Sequence, residues 1–196
     1  MRVVTDWRLD LIRAHPNLFH PARRAPETAC GGYPKCGDGW CELLNSACAR
    51  IGAALEKSDT FNVLYIGEKL AKLHFCWRGN LSAEAEAKIA DAVARAEARA
   101  QVTCEECGEE GRLYCSAGVP LTRCVVHARG QPVQVTPGRE ENVHIVRRVV
   151  AGKLRGICCR RYNRETDTFV DVPPYAHWVD LHGEILPSSF EGYEYG

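Results

Sequence analysis

Apolar residues recur along this chain with two different periods, and each change of period marks an element. Trp7, Leu9, Leu11 and Ile12 form a short amphipathic set behind Thr5 or Asp6 as N-cap, and Pro16 closes it. Trp40, Leu44, Ala47, Cys48, Ile51 and Leu55 recur at three- and four-residue spacing, which predicts a helix over 38–56 capped by Asp38. The period then drops to two. Phe61–Ile66 is rich in aromatic and β-branched residues, and Leu73, Phe75 and Trp77 alternate with Lys72, His74, Cys76 and Arg78. Two strands joined across Gly67–Ala71 are expected, with His74 on the solvated side. Ser82 caps an Ala-rich helix to about Gln101, striped by Ala85, Ile89, Val93, Ala96 and Ala100. Its other face (Glu84, Glu86, Lys88, Asp91, Arg95, Glu97 and Arg99) is expected to be solvated.

Beyond this helix, Arg112–Ser116 and Val119–Arg123 suggest a hairpin with Ala117-Gly118 at its tip. Residues 131–141 have the Pro/Gly composition of a linker, as do 20–38. Val143–Val150, Leu154–Arg161, Thr168–Val172 and His177–Leu181 are candidate strands. Composition divides the chain into an N-terminal helix and Pro/Gly-rich leader (1–35), an α/β core (36–103), a zinc-finger module (104–130) and a C-terminal β-rich region (140–196).

The chain has 196 residues, 45% apolar and 26% charged, within the range of ordinary globular domains. Its formal net charge is zero, so any binding to nucleic acid or an anionic membrane needs a local patch. Charge is nonetheless segregated. Arg147, Arg148, Lys153, Arg155, Arg160, Arg161 and Arg164 fall in a stretch without acids, and the residues from Glu165 onward carry acids without Lys or Arg. Two readings stand: a β meander with cross-strand charge pairs, or a basic patch for nucleic acid. No apolar run approaches the length of a membrane span.

Eleven cysteines are many for this length. The first residues lack the apolar run of a signal peptide, so a cytoplasmic location is expected, with metal ligands and buried thiols instead of disulfides. The pattern with chemical specificity is Cys104-x2-Cys107, sixteen residues, then Cys124-x2-His127. Two such pairs supply the four N/S donors of a tetrahedral Zn2+ site. Gly108 lets the chain leave the first turn in a left-handed conformation. A helix opening at Cys124 and carrying His127 would make the module a treble clef. Cys115 is the rival for fourth ligand. Cys30, Cys36, Cys41 and Cys48 match no standard ligand spacing, and Cys48 reads as a core residue.

Cys36-Gly-Asp-Gly-Trp40 before a Leu-rich helix, a Gly-Glu-Lys hairpin, Cys-Glu-x-Cys-Gly and Cys-x-x-His-Ala together resemble small zinc-finger proteins encoded by bacterial phages and prophages, over roughly residues 36–128. That group carries no settled activity, so the resemblance implies only the ligands Cys104, Cys107, Cys124 and His127. Cys41, where an aromatic residue is usual, and Cys115 depart from its pattern.

The expected fold is therefore α+β: a helix–β-hairpin–helix core leading into a treble-clef-like zinc finger, with a C-terminal β-rich region. The expected function is that of a zinc-stabilised, non-enzymatic interaction protein, a phage or prophage accessory factor binding a host or defence protein. The alternative is nucleic-acid binding through the basic 147–164 segment, helped by Arg23-Arg24. An enzyme is the third reading. The stretch after His127 lacks the extra His and Asn or Asp of a finger-based nuclease, and His177, Asp180 and His182 are scattered.

Overall fold

A computed structural model describes residues 6–20, 30–134, 142–150 and 153–171. Arg23-Arg24, the second half of the 131–141 linker, and the candidate strand 177–181 with His177, Asp180 and His182 lie outside the described residues.

The first half of the chain builds one apolar cluster. Helix α1 (Trp7–Ala14) starts at Asp6, whose carboxylate accepts from the Arg8 amide, and α2 (Pro16–Phe19) follows at once. Pro16 closes α1 and also opens α2, because its fixed φ suits a first helical position. Leu11, Ile12, Leu18 and Phe19 are buried in one cluster with Trp40, Leu44 and Ile51, so the N-terminal segment shares the core of residues 36–103. Its polar ties agree. The Trp7 indole donates to Asp38 at 2.8 Å, and His20 Nε2 lies 2.7 Å from the Phe61 carbonyl.

A 3-10 turn, Asp38–Trp40, precedes α3 (Cys41–Ala54). Asp38 is thus not the cap of α3. Its carboxylate is taken by Trp7 and Arg8, and no side chain caps this helix. The apolar stripe matches its periodicity: Trp40, Leu44, Ala47, Cys48 and Ile51 are all buried.

Strands β1 (Thr60–Lys69) and β2 (Lys72–Asn80) form an antiparallel hairpin. A bulge at Leu64 shifts the register, which lets Val63 and Ile66 both face the core. The connection is shorter than Gly67–Ala71. Only Leu70 and Ala71 turn the chain, at φ 55° and 62°, and Gly67 belongs to β1. Ser82 then caps α4 (Ala83–Ala100), its hydroxyl accepting from the Ala85 amide at 3.2 Å, a contact worth about 1 kcal/mol.

The outer face of α4 is not left to water. Strands β6 (Val143–Val150), β7 (Lys153–Asn163) and β8 (Thr168–Asp171) form an antiparallel meander that packs on it. Ala98, Val102, Tyr162 and Phe169 make a second buried cluster. Glu84 and Lys88 are exposed and pair with each other as their spacing predicts, but other charges on this face are withdrawn from water. Glu86 is buried, Arg95 pairs with Asp91 at 2.5 Å, and Arg95 also donates to the Asp167 carbonyl at 3.0 Å. Arg50 of α3 and the Tyr162 hydroxyl both bind the Asp167 carboxylate. Burial would raise the pKa of that carboxylate, but these two partners outweigh it and hold it below the usual range. Both apolar clusters therefore share one helix.

Candidate metal centre

The C-terminal end of α4 delivers the first ligand. Three residues past Ala100 the chain reaches Thr103 and Cys104 and tightens into a turn, with the Gly108 amide donating to the Cys104 carbonyl at 2.9 Å and the Cys104 amide to the Glu109 carbonyl at 2.8 Å. Gly108 leaves at φ 82°, a left-handed value that a side chain would resist. Strands β3 (Arg112–Ser116) and β4 (Val119–Arg123) carry the chain out and back, turning at Ala117-Gly118, so that Cys124 faces the first turn.

The ligand atoms of Cys104, Cys107, Cys124 and His127 all lie within 4.8 Å of one another. Cys107 Sγ to Cys124 Sγ is 3.7 Å, Cys104 Sγ to His127 Nδ1 is 3.7 Å, and Cys124 Sγ to His127 Nδ1 is 3.3 Å. With bonds of about 2.3 Å to sulfur and about 2.0 Å to nitrogen, a tetrahedral ion sets sulfurs about 3.8 Å apart and sulfur about 3.6 Å from nitrogen. The three spacings are close to the edges of such a tetrahedron. Cys104 and Cys124 are buried, His127 is half-buried, and Cys107 is exposed.

Two of the thiols are pulled in opposite directions. Burial would raise the Cys124 pKa, but the backbone amides of His127 and Val126 outweigh it and hold the thiol down. Cys107 accepts from the Glu109 amide, yet desolvation and the two neighbouring thiols push it up to about 11. Thiols crowded this closely compete for negative charge, and a bound dication removes the conflict. Three thiols and one imidazole form a soft donor set of the kind that holds Zn2+, Cu(I) or iron–sulfur centres.

The second turn differs from the treble-clef expectation. Residues 125–127 form a turn, not a helix, and the chain runs on into β5 (Gln131–Pro132), which pairs with β3. The reason is local. Val125-Val126 is β-branched, Gly130 sits at φ 79°, and Pro132 follows, which leaves too few residues for a stable helical segment. Gly130 also lets β5 approach β3, since a Cβ there would stand 2.1 Å from the Cys115 carbonyl. The site is therefore two facing turns closed by a three-stranded sheet.

Cys115 stands on β3, opposite Pro120 and Gln131, exposed and outside the ligand cluster. Among the described residues no other group of three or more His, Cys, Asp or Glu side chains could hold a metal. Among the described residues no cysteine is in a disulfide. Cys36 and Cys48 are buried, and burial pushes the Cys36 and Cys48 thiols up to about 12. Cys158 is buried and Cys159 half-buried, as neighbours on one strand should be.

Residues that spacing rules could not single out clamp the site to the core. The Trp40 indole donates to the Thr103 carbonyl at 3.0 Å. Gly39 donates to the Glu105 carbonyl at 2.8 Å, and Gly37 to Glu105 Oε1 at 2.9 Å. Arg123 of β4 holds the other Glu105 oxygen at 2.9 Å. The Thr122 hydroxyl donates to the Ala71 carbonyl at 3.0 Å, which ties the β1–β2 tip to β4. The Cys36-Gly-Asp-Gly-Trp40 segment was the available signal: its glycines are where the ligand turn comes close.

The basic segment is spread over two strands and a turn. Arg147 and Arg148 lie on β6, paired with Ile157 and Gly156, while Lys153 and Arg155 lie on β7. The side chains of these four lie outside the described residues. Arg160 packs 5.6 Å over the Phe169 ring and is in register with Asp171 of the acidic strand. Arg161 follows it on β7, and Arg164 lies half-buried in the turn to β8.

Among the described residues no helix is long and apolar enough to cross a membrane. No protein-family model, curated protein or solved structure matches the chain.

Proposed function

We propose that the Cys104, Cys107, Cys124 and His127 cluster holds a structural Zn2+ ion, and that the protein is a non-enzymatic interaction protein whose surfaces are set by that ion. One observation carries the reading: four N/S donors within 4.8 Å of one another, three of their spacings close to tetrahedral edge lengths, with Trp40, Gly39 and Glu105 joining them to the core. Such a set fills all four zinc positions with protein ligands, leaving none for water or substrate, which is the habit of structural sites and not of catalytic ones. Zinc bound there contributes folding energy directly. The partner is a host or defence protein in a bacterial cell that carries a phage or prophage, in keeping with the resemblance over residues 36–128.

Elemental analysis of purified protein should find about one zinc per chain. Cys104→Ser should lose it and Cys115→Ser should keep it; the reverse pattern overturns the ligand set. In affinity capture from bacterial lysate, a specific partner should be retained by the parent and by Cys115→Ser and released by Cys104→Ser. Capture of nucleic acid alone, abolished when Arg160 and Arg161 are replaced, would favour the basic segment instead.

A further inference from the structure

The outward face of the β1–β2 hairpin carries exposed and half-buried side chains and belongs to a different sheet from the metal centre. Register assigns its residues: Tyr65 and Lys69 from β1, and Lys72, His74 and Arg78 from β2, all point away from Phe61, Val63, Ile66, Leu73 and Phe75. Lys35 joins them, bridged in parallel to Gly67, with its ammonium 5.8 Å from the Tyr65 ring. No carboxylate occupies an outward position on either strand. Glu68 is in register with Leu73 on the inner side, and its carboxylate accepts from the Ala71 amide at 2.7 Å. Among the described residues none of these four Lys and Arg side chains is in an ion pair. In a chain of zero net charge this is a concentrated cationic face.

Tyr65 adds a second feature. Its ring runs along the sheet over Gly67, so close that a Cβ at 67 would stand 2.4 Å from the hydroxyl. Glycine at 67 is what lets an aromatic ring lie along the strand between the cations. A ring lying on a sheet and flanked by Lys and Arg suits a base stacking on the ring with phosphates on the ammonium and guanidinium groups. From Asn62 to Lys69 the face extends about 20 Å at strand rise, room for a short run of nucleotides.

We infer that the outward face of the β1–β2 hairpin, centred on Tyr65 with Lys35, Lys69 and Arg78, binds single-stranded nucleic acid. The inference does not depend on the metal's role or on the protein partner. It also differs from the 147–164 segment, which lies on another sheet.

Fluorescence anisotropy with a labelled oligothymidylate of about 15 nucleotides tests it on the full-length protein. Binding should be seen at about 50 mM salt and weaken roughly 20- to 50-fold by about 200 mM, as three or four phosphate contacts require. Tyr65→Ala should lose about tenfold in affinity or more, while Tyr65→Phe keeps it. Lys69→Gln and Arg78→Gln should each lower the salt slope by about 0.7. These positions lie on a solvent-facing surface, and circular dichroism confirms that each variant is folded. Absence of binding at low salt overturns the proposal. So does tighter binding to duplex or to polyglutamate, or binding unchanged by Tyr65→Ala, Lys69→Gln and Arg78→Gln but lost on replacing Arg160 and Arg161.

Discussion

Gly39 shows how a residue without a side chain governs the metal centre. A Cβ at that position would stand 2.2 Å from the Cys104 carbonyl, 2.4 Å from the Gly108 amide and 2.7 Å from the Cys107 amide. All three are backbone atoms of the ligand turn, so no side-chain rotation relieves the clash. Gly39→Ala should therefore destabilise the fold by about 1–3 kcal/mol and weaken zinc retention against a chelator, read from urea unfolding and a metal-release assay. Gly52→Ala is the control, since nothing lies within 4 Å of its added methyl. That Cys104, Cys107, Cys124 and His127 come together was legible because a donor pattern is written in local spacing. Glu105, Thr122 and Gly39 were not, because their roles depend on which distant segment folds against them.

At the scale of elements, the β1–β2 turn breaks the usual composition rule. Two-residue hairpin turns with both residues left-handed favour Asn and Gly, yet Leu70 and Ala71 hold this one. Ala71 is buried, and its carbonyl is held by Thr122. Leu70 is 65% exposed and gains little from its side chain. Leu70→Asn should raise stability by about 1 kcal/mol, seen as a higher urea midpoint with an unchanged slope. This is also why the turn was misread: with no glycine at the corner, Gly67 was the natural place to end the strand. The α4 helix was legible on its alanine stripe and through Ser82. The Asp91–Arg95 pair was legible from its spacing, but the packing of this face was not, because charges that meet the β7–β8 turn look the same in sequence as charges that meet water. The turn at Cys124–His127 was misjudged on the opposite ground, a helix being expected where Val125-Val126 and Gly130 leave no room for one.

Across the whole molecule, α4 is a wall with a core on either side, and the outer core contains a histidine. His144 is buried between Tyr162 and Phe169, with ring centroids 6.2 and 6.4 Å away, and its Nδ1 lies 3.2 Å from the Gln101 amide nitrogen. Burial, aided by the charge of Lys72, pushes its pKa down from 6.5 to about 4. The unfolded chain takes up this proton near 6.5 and the folded chain only near 4, so this contribution to stability falls as pH drops through that window and levels off below it. The full effect is on the order of 3 kcal/mol. His144→Leu should therefore flatten the loss of stability between pH 7 and about 4.5, measured by urea unfolding of parent and variant side by side. A parent and variant with parallel profiles would show that His144 is not the group responsible.

Trp40 draws these scales together in one further respect. Its indole is fully buried, is held by the Thr103 carbonyl, and stands one peptide unit from the first metal ligand. The quantum yield and emission colour of an indole follow the polarity and hydrogen bonding around it, so the chain carries its own optical gauge where the core meets the ligand turn. Metal titrated into the Cys104, Cys107, Cys124 and His127 cluster should register there as a change in emission, without a label.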